Sequence, residues 1–135
     1  MTTSAPKKLA ISAADYFAAK LAYEMTPFSL KGLLIDKRET SCGLTPSQVL
    51  VLDVRSTEDY AKGHIPGAKN IPLADLPSKL NTLPKDKALV TYCGNITCAL
   101  APKAAYKLAE AGFENVMELF GGLQTWQDKG FPIEK

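Results

Sequence analysis

Long apolar stretches are missing from this chain: no run reaches the roughly 18 uninterrupted apolar residues of a membrane-spanning helix. The N-terminal MTTSAPKKLAISAADYF has no continuous apolar core followed by a small-residue cleavage site. Both absences lead to the expectation of a soluble, cytoplasmic protein with no membrane partner. Cysteine is scarce and odd in number, at three, which argues against a secreted disulfide framework and fits a reducing compartment. Histidine occurs once. Cys93 and Cys98 lack the tight spacing of a zinc knuckle, and Cys42 and His64 lie in unrelated contexts, so neither a metal nor another cofactor is expected. Charge of one sign is also lacking: 16 Lys and Arg against 14 Asp and Glu leave +2, and the basic residues are scattered. Without a basic stripe, nucleic acid is not expected as a partner. There is no internal repeat and no low-complexity tract.

What is present reads as alternating strands and helices. The 135 residues, 46% apolar and 22% charged, fit one domain with one enclosed core, and residues 1–135 are read that way, with a helical and loop insertion around residues 26–47. A short strand is expected at Leu9 to Ile11. Ser12 and Asp15 have capping-box spacing before a helix reaching about Glu24, and Thr26-Pro27 marks a second helix start. From Asp36 to Ser47 the chain is polar and punctuated by Gly and Pro, so Cys42 falls in a surface loop. QVLVLDVR, Gln48 to Arg55, and ALVTY, Ala88 to Tyr92, are short apolar runs of the kind found in buried parallel strands. Ser56 caps a short helix, a brief strand follows near Ala68 to Ile71, and NVMELF forms another strand before Gly121-Gly122 and a helix holding Trp126. Strands separated by helical segments imply βαβ units, and hence an α/β fold with a mostly parallel sheet covered by helices on both faces. Ligands in such sheets bind outside the carboxyl ends of the strands, where Cys93 and the Asp53 to Arg55 segment lie.

The position of Cys93 raises the chemical question. A thiol with an ordinary pKa near about 8.5 is a weak nucleophile at neutral pH unless something stabilises its anion. The start of a helix does so with free N–H groups and the positive end of its dipole. Pro102 fits best at the first position of the following helix, with Ala101 as the cap, which leaves Cys93 to Leu100 as a loop able to wrap an anion. The blander reading takes Cys93 as a small apolar side chain after a buried strand. His64 reads as an anchor for its turn, Trp126 as an apolar plug whose N–H needs a partner, and Asp53 as a ligand for backbone near the loop.

Several motifs then appear together. DVRSTEDYAKGHIPGAKNIPLADL, followed by LVTYCGNITCALAPKAAYKLAEAGFENVMELFGGLQTWQDKGFPIE, resembles a rhodanese-like domain from about Leu50 to Glu134. The order of D-V-R, GHIPGA, Y-C at a strand end, GF and GG-x3-W is the family's order, and ISAADYF resembles its first strand and helix. The resemblance implies a five-stranded parallel sheet flanked by helices, a catalytic Cys93, and sulfane sulfur held on it as a persulfide. The implied activity is a sulfurtransferase reaction from a small donor, thiosulfate or a persulfide, to a thiol or cyanide acceptor, or to an acceptor protein. Gly94, Asn95, Ile96, Thr97, Cys98 and Ala99 would then cradle the anion, with Arg55 as a cationic aid from a neighbouring strand end. Arg55 also reads as an ion-pair partner of Glu58 or Asp59. Cys98 reads either as a thiol that resolves the persulfide or as a packed loop residue. The sequence departs from the family pattern in having no Arg or Lys between Cys93 and Lys103 and Ala101 where a Ser is usual. That weakens the Cys-x5-Arg oxyanion chemistry of phosphatases and arsenate reductases sharing the fold. It leaves a sulfur-relay or regulatory binding module as the second reading.

Overall fold

The protein is described by a computed structural model over residues 10–135. Its elements run α1 (Ala13–Tyr23), β1 (Glu24–Met25), α2 (Pro27–Leu34), β2 (Val49–Asp53), α3 (Thr57–Lys62), β3 (Lys69–Asn70), α4 (Leu76–Lys79), β4 (Ala88–Tyr92), α5 (Leu100–Glu110), β5 (Val116–Leu119) and α6 (Gly122–Asp128). The five strands form one parallel sheet in the order β1-β5-β4-β2-β3. No helix among the described residues is long and apolar enough to cross a membrane.

Local signals explain most boundaries. Ser12 accepts the Asp15 N–H and Asp15 reaches back to the Ser12 N–H, completing the capping box of α1. Thr26 caps α2 with Pro27 at its start, and Gly112, at φ 97°, takes the left-handed position that ends α5. The expected strand at Leu9 to Ile11 is not found: Leu9 lies outside the described residues, and Ala10 and Ile11 form a bend. The first strand is instead Glu24–Met25, paired with β5, so ISAADYF supplies a helix start and no strand. A two-residue strand carries too little alternation to be read from sequence. Within residues 26–47, α2 buries Leu30 and Leu33 completely, each contributing about 1.5–3 kcal/mol of apolar burial.

Two apolar layers cover the sheet. On one face Leu52, Leu89 and Val116 pack with Leu76 of α4 and Ala101, Ala104 and Leu108 of α5. On the other, Met25, Val51, Val90 and Leu119 pack with Leu30 and Leu33 of α2 and Leu123 and Trp126 of α6. Strand β4 is buried along its whole length and alternates between the layers. Leu89 faces α5, Val90 faces α6, Thr91 donates to the Ala101 carbonyl oxygen at 2.9 Å, and Tyr92 turns back to the α6 side. Cys93, next in the alternation, belongs to the α5 layer.

A buried polar group pins this register. The Tyr92 hydroxyl donates to Asp53 Oδ2 at 2.6 Å and accepts the Ile65 N–H at 3.0 Å. Asp53 also takes a bidentate grip from Arg55, with Nη2 to Oδ2 at 2.7 Å and Nε to Oδ1 at 3.0 Å. Truncating this hub leaves a carboxylate oxygen and an amide without their shared partner. Tyr92→Phe is therefore expected to lower stability by about 1.5–3 kcal/mol, read as a shift of the urea midpoint with an unchanged slope.

Candidate functional site

The exit of β4 opens onto a cavity of about 310 Å³ lined by Cys93, Asn95, Ile96, Cys98, Ala101, Lys20, Glu24, Glu118 and the Phe120 to Gly122 turn. Three neighbouring strand ends build it. Cys93 comes from β4, Glu118 from β5 and Glu24 from β1, and the last two are direct partners across the parallel ladder. This is the carboxyl edge of the sheet, where open α/β sheets bind their ligands.

The turn beneath the loop depends on glycine. Gly122 has φ 63°, and a Cβ there would sit 2.5 Å from the Cys93 carbonyl oxygen. Its absence lets the start of α6 close on the strand exit: the Leu123 N–H donates to the Cys93 carbonyl and the Gln124 N–H to the Gly94 carbonyl, both at 2.9 Å. The two carbonyls are held from below, which leaves the thiol facing the cavity.

Helix α5 begins at Leu100 with Ala99 as its cap, two residues before the start expected from Pro102. Pro102 occupies the third helical position, where its missing N–H falls among the groups with no partner inside the helix, so proline is compatible with the earlier start. Cys98 remains in the loop.

The expected ring of loop amides forms only in part. Asn95 turns the loop on itself: its side chain accepts the Thr97 N–H at 3.0 Å and the Thr97 hydroxyl at 2.6 Å, and its carbonyl accepts the Cys98 N–H at 3.1 Å. Those amides are aimed away from the sulfur. The amides that favour a Cys93 anion are those of Gly94 and, from the first turn of α5, Ala101. Of the loop residues expected to bind, Asn95, Ile96 and Cys98 line the cavity, while Gly94, Thr97 and Ala99 do not.

Arg55 is elsewhere. Its guanidinium is engaged by Asp53 and by the Gly63 carbonyl at 2.7 Å, and it does not line the cavity. The expectation of a cationic aid from this position is corrected, as is that of a pairing with Glu58 or Asp59. The bidentate carboxylate two residues away is held rigid by Tyr92 and wins over flexible surface partners. Asp53 accepts the backbone N–H of Arg55 at 3.0 Å as well as serving this side-chain hub through both carboxylate oxygens. His64 stacks on Tyr60 and bonds its carbonyl at 2.8 Å, and the Trp126 N–H finds the Pro132 carbonyl at 2.7 Å.

The electrostatics of the two thiols reverse the sequence expectation of a Cys93 anion. Cys93 is only 2% exposed, and burial together with the Cys98 side chain pushes its thiol up to about 11 against the pull of the Ala101 and Gly94 amides. Its Sγ–H donates to the Cys98 carbonyl oxygen at 3.4 Å, a bond that requires the proton. Cys98 is held below the ordinary thiol value: partial burial opposes this, but the neighbouring Cys93 side chain, the amides of Leu100 and Gly94 and the charge of Lys103 outweigh it. The first proton to leave the pair leaves from Cys98.

Comparison with known proteins places this geometry. The rhodanese-like domain family matches residues 35–129. The chain belongs to that family. A sulfurtransferase of Allochromatium vinosum is 33% identical over 100 residues, covering 73% of this chain and 92% of that protein. An HTH-type transcriptional regulator of Mycobacterium tuberculosis is 41% identical over 88 residues, covering 65% of this chain but only 38% of the regulator. In structure, the BH2092 protein of Bacillus halodurans matches with a TM-score of 0.77 at 33% identity, over 90% of this chain and 83% of that one.

Three side chains of this rhodanese-like site escaped the sequence reading: Lys20, Glu24 and Glu118. Lys20 bonds Glu24 at 2.9 Å, and Glu118 is raised above the usual carboxylate range by burial and by Glu24, with Lys20 opposing. Their only available signal was the adjacency of strand ends, which needs the strand order. A carboxyl group raised on folding lowers stability once the pH exceeds its folded pKa and has no effect below its unfolded one. Glu118→Gln should accordingly stabilise the protein at neutral pH, with the gain vanishing in acid, as read by urea melts across pH. For the thiols, iodoacetamide labelling followed by peptide mapping should modify Cys98 well before Cys93 at neutral pH. Cys98→Ser should lower the pH at which Cys93 reacts.

Proposed function

We propose that this chain is a sulfurtransferase that holds sulfane sulfur on Cys93 as a persulfide and passes it to a thiol or cyanide acceptor. The observation that carries the reading is the placement of Cys93 at the exit of β4, facing a cavity of about 310 Å³ at the first turn of α5, where the Gly94 and Ala101 amides favour its anion against burial. Names borne by relatives, a sulfurtransferase in Allochromatium vinosum and a putative sulfur carrier protein in Bacillus subtilis, agree with it.

The resting proton arrangement assigns complementary parts to the two thiols. Cys98, the more acidic, ionises first and stands as the base that accepts the Cys93 proton as Cys93 attacks a donor. Cys93 then attacks the outer sulfur of a persulfide R–S–S–H. A bond forms between Cys93 Sγ and that sulfur, the bond to the inner sulfur breaks, and RS⁻ departs with the electron pair. The enzyme holds Cys93–S–SH.

A persulfide suits the cavity better than thiosulfate. Glu24 and Glu118 face it, Lys20, the one cation among the described residues that lines it, is paired with Glu24, Arg55 is committed to Asp53, and Lys103 acts only from outside the lining, so a dianion meets two carboxyl groups and no unpaired lining cation among the described residues. The same lack disfavours phosphate or arsenate chemistry. A sulfur-relay role, in which the acceptor or donor is a protein thiol, is favoured by Ile96, an apolar side chain 68% exposed at the mouth of the cavity.

The test is intact-mass analysis after treatment with a small-thiol persulfide in mildly alkaline buffer. Cys98→Ala should gain one sulfur, mapped to Cys93, and release it as thiocyanate on adding cyanide, whereas Cys93→Ser should carry none at position 93. A folded Cys98→Ala that takes up no sulfur from any donor would sink the carrier reading. Thiosulfate should load it far more slowly than the persulfide.

A further inference from the structure

Two of the chain's three thiols line one cavity, and the carrier chemistry needs only one of them as its sulfur-holding atom. Cys42 lies apart, exposed in its loop beside the Thr40 hydroxyl. The second cavity thiol, Cys98, is partly exposed, while Cys93 is buried beneath it. Asn95 fixes their approach: by tying down the Thr97 and Cys98 amides, it folds the loop so that the carbonyl of residue 98 rests 3.4 Å from Cys93 Sγ. The two cysteine side chains also act on each other's acidity across the shared cavity, and a disulfide between them requires that they rotate until the sulfurs meet.

Resting on the carrier reading, we infer that Cys98 discharges the persulfide: having passed the proton it took from Cys93 to the departing RS⁻, its thiolate attacks Cys93 Sγ, the two cysteine sulfurs join, and the outer sulfur leaves as hydrosulfide. The electrons balance within the loop. In Cys93–S–SH plus Cys98–S⁻ giving Cys93–S–S–Cys98 plus HS⁻, the sulfane sulfur is reduced by two electrons and the two cysteine sulfurs lose one each. No outside oxidant enters. Resetting the site requires an external dithiol, which is oxidised to its own disulfide as both cysteines return to thiols. The more exposed Cys98 is the sulfur it reaches first.

Three features favour discharge over storage. The attacking sulfur is the more acidic of the pair, its anion favoured by the Leu100 and Gly94 amides and by the charge of Lys103. The carboxyl groups of Glu24 and Glu118 line the same cavity and disfavour keeping the hydrosulfide anion that leaves the persulfide. Cys98 shares the cavity with Cys93, so the attack needs no opening of the core. The chain then acts as a dithiol-dependent converter of persulfide sulfur to sulfide when no acceptor is bound.

The experiment loads the protein anaerobically with a stoichiometric small-thiol persulfide, without reductant, and follows sulfide release, intact mass and peptide maps. Wild type should release sulfide in a single burst, lose two hydrogens in mass, show a Cys93–Cys98 disulfide, and release again only after dithiothreitol is added. Cys98→Ser and Cys98→Ala should both keep the extra sulfur on Cys93 and lose the burst. The inference is overturned if wild type retains that sulfur on Cys93 as long as either variant does, or if the burst persists without Cys98. Failure of both wild type and variants to take up sulfur would instead overturn the carrier reading together with this one.

Discussion

The site rests on the side-to-side alternation of one buried strand. In β4 every residue is enclosed, so a one-residue slip would exchange Leu89, Thr91 and Cys93 with Val90 and Tyr92, moving the thiol from the α5 layer to the α6 layer. Apolar pattern alone would resist that weakly, because both faces are hydrophobic. The polar partners resist it strongly: Tyr92 has its hydroxyl partners only on one side, at Asp53 and Ile65, and Thr91 has the Ala101 carbonyl only on the other. Charge-assisted bonds in a dry interior supply the directionality that hydrophobic contact lacks.

Around that fixed sulfur the protein supplies fewer compensating dipoles than an anion needs. Gly122 and the start of α6 hold the carbonyls of Cys93 and Gly94, and the Gly94 and Ala101 amides favour a Cys93 anion, but burial outweighs them. The negative charge settles one thiol away, on Cys98, where partial exposure and Lys103 tip the balance. Two thiols of unequal acidity in one cavity are a different device from a lone activated cysteine. The first holds sulfur in a dry place and the second supplies both a proton acceptor and a competing nucleophile.

Legibility in the sequence followed the range of the forces involved. The capping boxes, Pro27 at a helix start, Gly112 at a helix end and the buried runs of β2 and β4 are local, and their residues announce them. Strand β1 was hidden because two residues gain their identity only from pairing with β5. The start of α5 was displaced by reading Pro102 as a first-position residue, although the third position suits proline as well. The true partner of Arg55 was missed by both of its readings, as a cationic aid and as a partner of Glu58 or Asp59, because a carboxylate two residues earlier gives no sign that Tyr92 will hold it in place.

The sequence by itself determined the alternation of strands and helices, the parallel sheet, and Cys93 at a strand's carboxyl end beside a glycine-bearing loop, since each follows from neighbours along the chain. Tertiary structure alone decided which amides face the sulfur, that Glu24 and Glu118 close the cavity with Lys20, and that Cys98 rather than Cys93 is the more acidic thiol. Those outcomes depend on burial and on distances between groups remote in the chain. Desolvation and Coulomb interactions act through space, and no spacing along a sequence encodes them.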